Sequence, residues 1–256
     1  MKIDDVKKIG VLGCGLMGNG IVQVCATFGY KVTGRDVNDD VLKKAMENIV
    51  DGKYGLNRGL ERGKVTKEQY DFAVRSIKLV TSMEELTEDA DVIIEATPEI
   101  LTLKMNLLKE LDKLCPEKTI LASNTSGFSI TVLGGVTNRP DRVVGMHWFN
   151  PAPVMRLIEV IKSESTSEET VNCIKDLSIK LGKTPIVVKD SVRAYGFVAN
   201  RAYGALRREC QSIVDEGIAT MEQVDTALKL GYGFPLGPFE LTGLIGRLGR
   251  SKLNTG

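Results

Sequence analysis

The chain has 256 residues, of which 43% are hydrophobic and 26% are charged, and its formal net charge is +1. This length suits one large domain or two smaller ones, and the composition is ordinary for a soluble globular protein. With a net charge so close to zero, the protein has no overall electrostatic field that would attract it to nucleic acid or to an anionic membrane. The sequence has no long apolar span, and its start, MKIDDVKK, is too polar for a signal peptide. We therefore expect a cytoplasmic protein that binds neither nucleic acid nor membrane.

The cysteines and the single histidine argue against a metal site. No two of the five cysteines stand at CxxC spacing, and only His147 is available as an imidazole ligand. We expect no bound metal and five reduced, mostly buried thiols, at Cys14, Cys25, Cys115, Cys173 and Cys210.

The N-terminal half of the chain alternates between short apolar runs and segments with helical periodicity. Strands are predicted at residues 8–13, 31–36, 77–81, 91–97 and 119–123. Helices are predicted at residues 16–28, 39–51 and 98–114, and a capping box from Thr66 to Gln69 starts another. Residues 54–63, rich in glycine and charge, are predicted to form a loop or an irregular helix. This alternation is typical of parallel βαβ units and predicts an α/β fold with a Rossmann-like, doubly wound, mostly parallel sheet.

The pattern changes after residue 141. Two strand-like runs, 142–149 and 156–162, are joined by an Asn-Pro-Ala-Pro turn that is too short for a parallel crossover, so we predict an antiparallel pair. A helix follows at 167–181, opened by a capping box of Thr166 and Glu169, and then a strand at 184–189.

From about Phe197 the sequence is helical, with a further capping box from Thr220 to Gln223. We place the domain boundary near Asp190. The prediction is an α/β domain of residues 1–189 and an all-helical domain of residues 190–256.

A glycine loop opens the first predicted helix. Gly13-Cys-Gly-Leu-Met-Gly18 has the GxGxxG pattern, directly after a strand. In a dinucleotide site Gly13 permits the tight turn, Gly15 lets the backbone approach the pyrophosphate, and Gly18 lets helix and strand pack closely. Amides at the helix start, around Leu16 and Met17, would then face the phosphates.

An acidic residue follows at the expected distance. Asp36 lies eighteen residues after Gly18, at the end of the second predicted strand. Such a carboxylate accepts from the ribose hydroxyls and favours NAD over NADP. The neighbouring Arg35 could accommodate a 2′-phosphate, so NADP remains possible.

The single histidine lies in the predicted antiparallel pair, where His147 and Glu159 can approach each other. A carboxylate that holds one imidazole nitrogen fixes the tautomer and raises the basicity of the other nitrogen. A dehydrogenase needs such a group to take a proton from an alcohol. A structural histidine at a strand end is the alternative interpretation.

Several longer segments identify a resemblance. They are the glycine loop, SNTSGFSI at 123–130, GMHWFNPAPVM at 145–155, GFVANR at 196–201 and GFPLGPFEL at 233–241. In this order they resemble the 3-hydroxyacyl-CoA dehydrogenase family, in particular its short prokaryotic 3-hydroxybutyryl-CoA dehydrogenases. The resemblance covers the chain up to about Gly246.

The resemblance implies roles for individual residues. It makes His147 the acid/base and Glu159 its partner, places Ser126 on the reacting oxygen, and makes Asn200 a substrate-orienting residue. From the residues alone, Ser126 could be a turn serine and Asn200 a helix-terminal asparagine. Asn150 is either a second substrate-binding residue or simply the turn residue before Pro151. Further cofactor contacts are expected at Glu99, Lys104 and Asn124.

The implied activity is interconversion of (S)-3-hydroxyacyl-CoA and 3-oxoacyl-CoA of short chain length with NAD, by an enzyme that forms a homodimer. A sugar-acid dehydrogenase of the L-gulonate type is one alternative, and a catalytically weak NAD-binding structural protein is another. Family members usually continue with further helix beyond the point that matches Gly246. We therefore expect the helical domain to be shortened here, with the basic tail at residues 247–256 in place of those helices.

Overall fold

A computed structural model describes residues 1–191 and 196–243. The chain divides into two compact units, Met1–Phe197 and a second unit that begins at Val198. The domain boundary near Asp190 stays a prediction. The expectations for the tail at 247–256 and for the shortened end of the helical domain lie outside the described residues.

The first unit is built on one sheet, which has eight strands in the described residues. The strands are β1 (Lys8–Leu12), β2 (Lys31–Arg35), β3 (Ile77–Val80), β4 (Val92–Glu95), β5 (Ile120–Ser123), β6 (Val143–Trp148), β7 (Leu157–Lys162) and β8 (Thr184–Lys189). Their order across the sheet is β3-β2-β1-β4-β5-β6-β7-β8, and only the β6–β7 pair is antiparallel. The predicted Rossmann-like, doubly wound, mostly parallel sheet is confirmed.

Helices cover both faces of this sheet. They are α1 (Gly18–Thr27), α2 (Asp39–Asp51), α3 (Leu56–Glu61), α4 (Lys67–Ser76), α5 (Met83–Thr87), α6 (Leu101–Leu114), α7 (Ile130–Gly134) and α8 (Glu168–Lys180). The short helices α5 and α7 were not predicted, although each begins after a serine cap, at Ser82 and Ser129. With helices on both sides, β4, β5 and β6 are buried along their whole length, which explains their unbroken apolar runs.

The direction of winding reverses between β1 and β4. The chain proceeds from β1 to β2 and β3 on one side, then returns to β4 and continues to β5 and β6 on the other. Ligands of open α/β sheets bind in the crevice outside the carboxyl ends of the strands at such a point. The loops after β1, β4, β5 and β6 all leave from that edge of the sheet.

One capping prediction was wrong. Helix α8 is capped by Ser167, whose hydroxyl accepts from the Thr170 amide at 3.1 Å, rather than by Thr166 with Glu169. The Thr166 hydroxyl is buried and donates to the Val143 carbonyl at 2.7 Å. Thr166 therefore ties the loop to β6, and Glu169 pairs with the N-terminal ammonium.

The second unit is helical, as predicted. Its helices α9 (Ala199–Asp215) and α10 (Met221–Tyr232) are followed by a segment held by Asp225, whose carboxylate accepts from the Phe239 and Glu240 amides. The predicted capping box from Thr220 to Gln223 opens α10. Within the described ranges, no helix has the length and apolar character needed to cross a bilayer.

The assignment of the α8 cap can be tested by stability. Ser167→Ala removes the acceptor for an amide at the helix start, so we expect the free energy of unfolding to fall by about 1 kcal/mol. Glu169→Gln is the control, because the Glu169 side chain is exposed and an ion pair made by an exposed carboxylate contributes at most about 1 kcal/mol and usually less. Urea unfolding of the two variants compares them. A larger loss for Glu169→Gln than for Ser167→Ala would contradict the assignment.

Candidate active site

A groove of about 600 Å³ opens at the carboxyl edge of β1, β4 and β5. It is lined by most of the residues predicted to bind a dinucleotide: Gly13, Gly15, Leu16, Met17, Asp36, Glu99 and Asn124. Ser126 lines the same groove. The sheet topology therefore brings together segments that are more than a hundred residues apart in the sequence.

The three glycines of the loop occupy three different environments. Gly13 has a φ of 92°, and a Cβ there would lie 2.9 Å from the carbonyl carbon and oxygen of Ala96. A Cβ on Gly18 would lie 1.7 Å from the Gly13 oxygen, so only glycine fits. A Cβ on Gly15 would meet no atom within 4 Å. The space beside Gly15 is thus open to the groove, which fits a backbone that approaches a pyrophosphate.

The helix that follows also fits an anion. Helix α1 begins without a side-chain cap at its N-cap residue, Met17. The orphan amides and the positive end of the helix dipole then favour negative charge at this terminus.

Asp36 holds the loop in place. Its carboxylate accepts from the amides of Cys14 and Val37, each at 2.7 Å. Arg35 lines the same groove, and its Nε donates to the Thr81 carbonyl at 3.0 Å. Burial, reinforced by Asp36, raises the pKa of the Cys14 thiol to about 12, so the thiol stays protonated and acts as a small apolar filler.

His147 and Glu159 face each other across the β6–β7 pair. They are directly opposite in the register, and His147 Nδ1 lies 2.7 Å from Glu159 Oε2. Both are buried, with 3% and 0% of their surface exposed. An ionised carboxylate can only accept, so Nδ1 carries a proton in this pair and Nε2 is the nitrogen left to exchange one.

Two aromatic rings cover the imidazole. The ring centroids of Phe149 and Phe197 lie 4.6 Å and 5.7 Å from that of His147. Phe197 has a φ of 32°, which is rare for a bulky residue and marks a constrained backbone. Neither ring was predicted as part of the site. The contact of Phe197 spans fifty residues of sequence and depends on the tertiary fold, whereas Phe149 is only two residues from His147 and could have been named from the sequence.

The Asn124–Ser126 segment is held from both sides. Asn124 accepts through Oδ1 from the Trp148 amide at 2.8 Å, which ties the segment to the strand that bears His147. The Glu99 carboxylate accepts from the Ser126 amide at 2.8 Å and from the Thr125 hydroxyl at 2.6 Å. These bonds fix the backbone that presents the Ser126 hydroxyl at the groove.

Lys104 lies beneath the groove and does not line it. Only 1% of Lys104 is exposed, and its ammonium donates to Glu95 Oε1 at 2.8 Å and to the Thr97 carbonyl at 3.1 Å. It also lies 3.4 Å from Glu99 Oε2. Glu95 in turn accepts from the Ser123 hydroxyl at 2.7 Å. Lys104 thus helps to hold the Glu99 carboxylate in place from beneath the groove. The predicted contact of Lys104 with the cofactor stays a prediction.

Sequence reasoning missed Glu95. The signal was present, because a glutamate ends the otherwise apolar run Val92–Glu95 and a charge in a buried strand needs a partner. The partner, nine residues later on α6, could be named only from the structure.

Two predicted substrate residues are exposed. Asn150 begins the turn between β6 and β7, before a cis bond to Pro151. Asn200 belongs to the second unit and lies in the first turn of α9. Their roles stay predictions. Over the described ranges, no cluster of three or more His, Cys, Asp or Glu side chains could hold a metal ion.

Residues 8–191 match the NAD-binding domain of 3-hydroxyacyl-CoA dehydrogenase, and residues 196–253 match the C-terminal domain of the same enzymes. The chain belongs to the 3-hydroxyacyl-CoA dehydrogenase family. It is an oxidoreductase of that family, and its cofactor is NAD.

Individual relatives agree. A probable 3-hydroxybutyryl-CoA dehydrogenase of Bacillus subtilis is 42% identical over 242 residues, which cover 94% of this chain and 82% of that protein. The mitochondrial hydroxyacyl-coenzyme A dehydrogenase of Sus scrofa is 40% identical, with 94% and 76% covered. The crystal structure of (S)-3-hydroxybutyryl-CoA dehydrogenase from Ralstonia eutropha has a TM-score of 0.88 at 40% identity, with 94% and 83% covered.

The buried ion pair under the groove should be essential for stability. Lys104→Met leaves Glu95 buried without its cation, so we expect the free energy of unfolding to fall by about 3–5 kcal/mol. Lys113→Met, at an exposed position of the same helix, should change it by less than about 0.5 kcal/mol. Chemical denaturation measures both, and equal small losses would show that the pair is not needed.

A substitution in the glycine loop should change cofactor binding without changing the stability of the fold. Gly15→Ala adds a methyl group where nothing in the protein obstructs it, so the melting temperature should not change. The same methyl group would stand where the backbone approaches the pyrophosphate, and we expect the Kd for NADH to rise by at least about tenfold.

Gly231→Ala in α10, which also meets nothing within 4 Å, is the matched control and should bind NADH as the unmodified protein does. Calorimetric titration gives the affinities. Unchanged NADH affinity in Gly15→Ala would contradict this view of the loop.

Proposed function

We propose that this protein interconverts (S)-3-hydroxyacyl-CoA and 3-oxoacyl-CoA of short acyl chain, such as 3-hydroxybutyryl-CoA, with His147 as the acid/base. The observation that carries the proposal is the buried His147–Glu159 pair, 2.7 Å apart, in the unit that also bears the glycine-loop groove. Relatives at about 40% identity that are named 3-hydroxybutyryl-CoA and hydroxyacyl-coenzyme A dehydrogenases support the substrate class.

The imidazole supplies the proton chemistry in both directions. In oxidation, His147 Nε2 accepts the proton of the C3 hydroxyl as that carbon loses its hydride. Bound NAD+ supplies the acceptor for the hydride. In reduction, the imidazolium returns the proton from Nε2 to the oxygen of the 3-oxo group, so the protein ends each turnover in the state that the reverse reaction requires.

Glu159 makes this exchange favourable. Its carboxylate holds the Nδ1 proton, which orients the ring and stabilises the imidazolium that forms during oxidation. The neighbouring rings of Phe149 and Phe197 exclude water from the imidazole, which strengthens that electrostatic interaction.

The remaining site residues have positioning roles in this proposal. The Ser126 hydroxyl would donate to the reacting oxygen, and its backbone is held by Glu99. Asn200, with Asn150, would orient the thioester end of the substrate. Gly13, Gly15 and Asp36 would hold the cofactor, with Asp36 on the adenosine ribose.

We also propose that the protein acts as a homodimer in the cytoplasm. Large apolar side chains of the second unit, including Leu230 and Tyr232, are 83% and 80% exposed, which is typical of an interaction surface. All five cysteines are buried and unpaired, as is usual in a reducing compartment.

The experiment is NADH oxidation with acetoacetyl-CoA, followed at 340 nm, for the unmodified protein and for His147→Gln. Glutamine keeps a polar side chain but cannot exchange a proton, so we expect the rate to fall by about 10²–10⁴-fold while NADH binding is preserved. Glu159→Gln should lose activity as well, because its amide cannot stabilise the imidazolium.

The alternatives give different outcomes. Turnover of L-gulonate and none of the CoA thioester would identify a sugar-acid dehydrogenase. NADH binding without turnover of either substrate would identify a catalytically weak structural protein. A His147→Gln variant that retains full activity would refute the role of the histidine.

A further inference from the structure

We propose that Lys183 is a positioning residue for His147: its ammonium holds the turn of residues 150–155, which joins β6 to β7, against helix α1. The effect on turnover rests on the proposed function above. The structural part of the proposal, that Lys183 holds this turn and the adjacent Trp148, stands on contacts that are independent of it.

Lys183 is a buried lysine whose nearest partners are neutral. It follows α8, only 9% of it is exposed, and its ammonium donates to the carbonyls of Ala152 at 2.6 Å and Met155 at 2.8 Å. The same ammonium lies 5.4 Å from the centroid of the Trp148 ring. Because burying a charge is costly, a lysine placed here without a carboxylate partner in contact requires an explanation beyond simple packing.

The turn that Lys183 holds packs against α1, the helix that follows the glycine loop. A Cβ on Gly20 of α1 would lie 3.0 Å from Pro153 Cδ and 3.1 Å from Ala152 Cβ. Gly20 therefore allows the turn to approach α1 closely, in the first turn of the helix and two residues after the glycine loop ends. Lys183 bonds to the carbonyls of the same turn, so the turn is held between the lysine and the helix.

The turn of residues 150–155 affects the position of His147, because the turn begins only three residues after that histidine. Trp148, next to His147, is held through its backbone by Asn124 and through its ring by the Lys183 ammonium. Its indole N–H has no hydrogen-bond partner among the described residues. The ring therefore depends on Lys183 and on apolar packing for its position. Displacement of a catalytic group by about 1 Å can cost about a hundredfold in rate.

The strength with which Lys183 holds the turn and the Trp148 ring should depend on pH. Burial lowers the pKa of Lys183 to about 8, so its ammonium is present below that pH and is lost above it. The ionisable group that acts on it electrostatically is the Cys25 thiol of α1, whose own pKa is raised by burial to about 12. Cys25 is therefore neutral throughout this transition. The neutral amine keeps two donors but loses the charge-assisted bonds and the cation–π attraction.

Two measurements test the proposal. The kinetic measurement is kcat for the oxidation of 3-hydroxybutyryl-CoA as a function of pH. We expect kcat to fall above pH 8 as Lys183 deprotonates. Trp148 is the only tryptophan, so its emission with excitation at 295 nm should change over the same pH range without any substrate present.

Lys183→Met keeps the length of the side chain and removes the charge. We expect kcat at pH 7 to fall by about tenfold to a hundredfold. Both pH transitions should disappear. KM for NAD should change less than twofold, because the glycine loop has its own bonds to Asp36 and Arg35. Lys180→Met, at an exposed lysine paired with Asp4, is the matched control and should behave like the unmodified protein.

A Lys183→Met variant with full kcat and an unchanged profile would overturn the proposal. The proposal would also be overturned if the tryptophan emission of the unmodified protein did not change near pH 8. This measurement does not require the Lys183→Met variant to fold. If no CoA thioester is turned over, the proposed function fails. The emission of the unmodified protein and of Lys183→Met still decides whether Lys183 holds the turn.

Discussion

The pairing of β6 with β7 is the constraint on which the site depends. It places a fully buried carboxylate directly opposite the only histidine of the chain, with 2.7 Å between Glu159 Oε2 and His147 Nδ1. Neither group is easily buried alone, because a charge removed from water is costly unless it is paired. The pair is thus both the reason why the strands can bury these residues and the device that prepares Nε2 for proton exchange.

The other parts of the site stabilise this arrangement from different directions. Asn124 ties the strand of His147 to the loop that carries Ser126, and Glu99 ties that loop to the segment after β4. The buried Lys104–Glu95 pair supports Glu99 from below. Charged groups are therefore hydrogen-bonded into one network beneath the groove, while the glycine loop leaves open space where a cofactor backbone contact is needed. A rigid site of this kind reorganises little during the reaction, so the free-energy cost of reorganisation is small.

Local patterns in the sequence were sufficient for the fold and for the central pair. Alternating strands and helices predicted the doubly wound sheet, and the short Asn-Pro-Ala-Pro turn allowed only an antiparallel return, which brings Glu159 near His147. The groove residues followed from the glycine pattern and from the resemblance to a family. The predictions of the sheet and of the strand pair use neighbours in the sequence or one short connection, whereas the resemblance uses motifs spread over residues 13–241.

What could not be predicted depends on packing between distant segments. The ring of Phe197 beside the imidazole, the partner of Glu95 and the bonds of Lys183 all arise where separate elements meet. The capping error at α8 has the same origin. Thr166 and Ser167 are both of a type that caps helices, and the Thr166 hydroxyl is instead bound to the Val143 carbonyl.

The most direct test of the account is the tautomer of His147, because a single histidine gives one assignable set of imidazole signals. In ¹⁵N-histidine-labelled protein, we expect the neutral ring to carry its proton on Nδ1, with Nε2 as the unprotonated nitrogen. Glu159→Gln should weaken that preference. A neutral ring that carries its proton on Nε2 would contradict the account, since that nitrogen could then not accept the proton of a substrate hydroxyl.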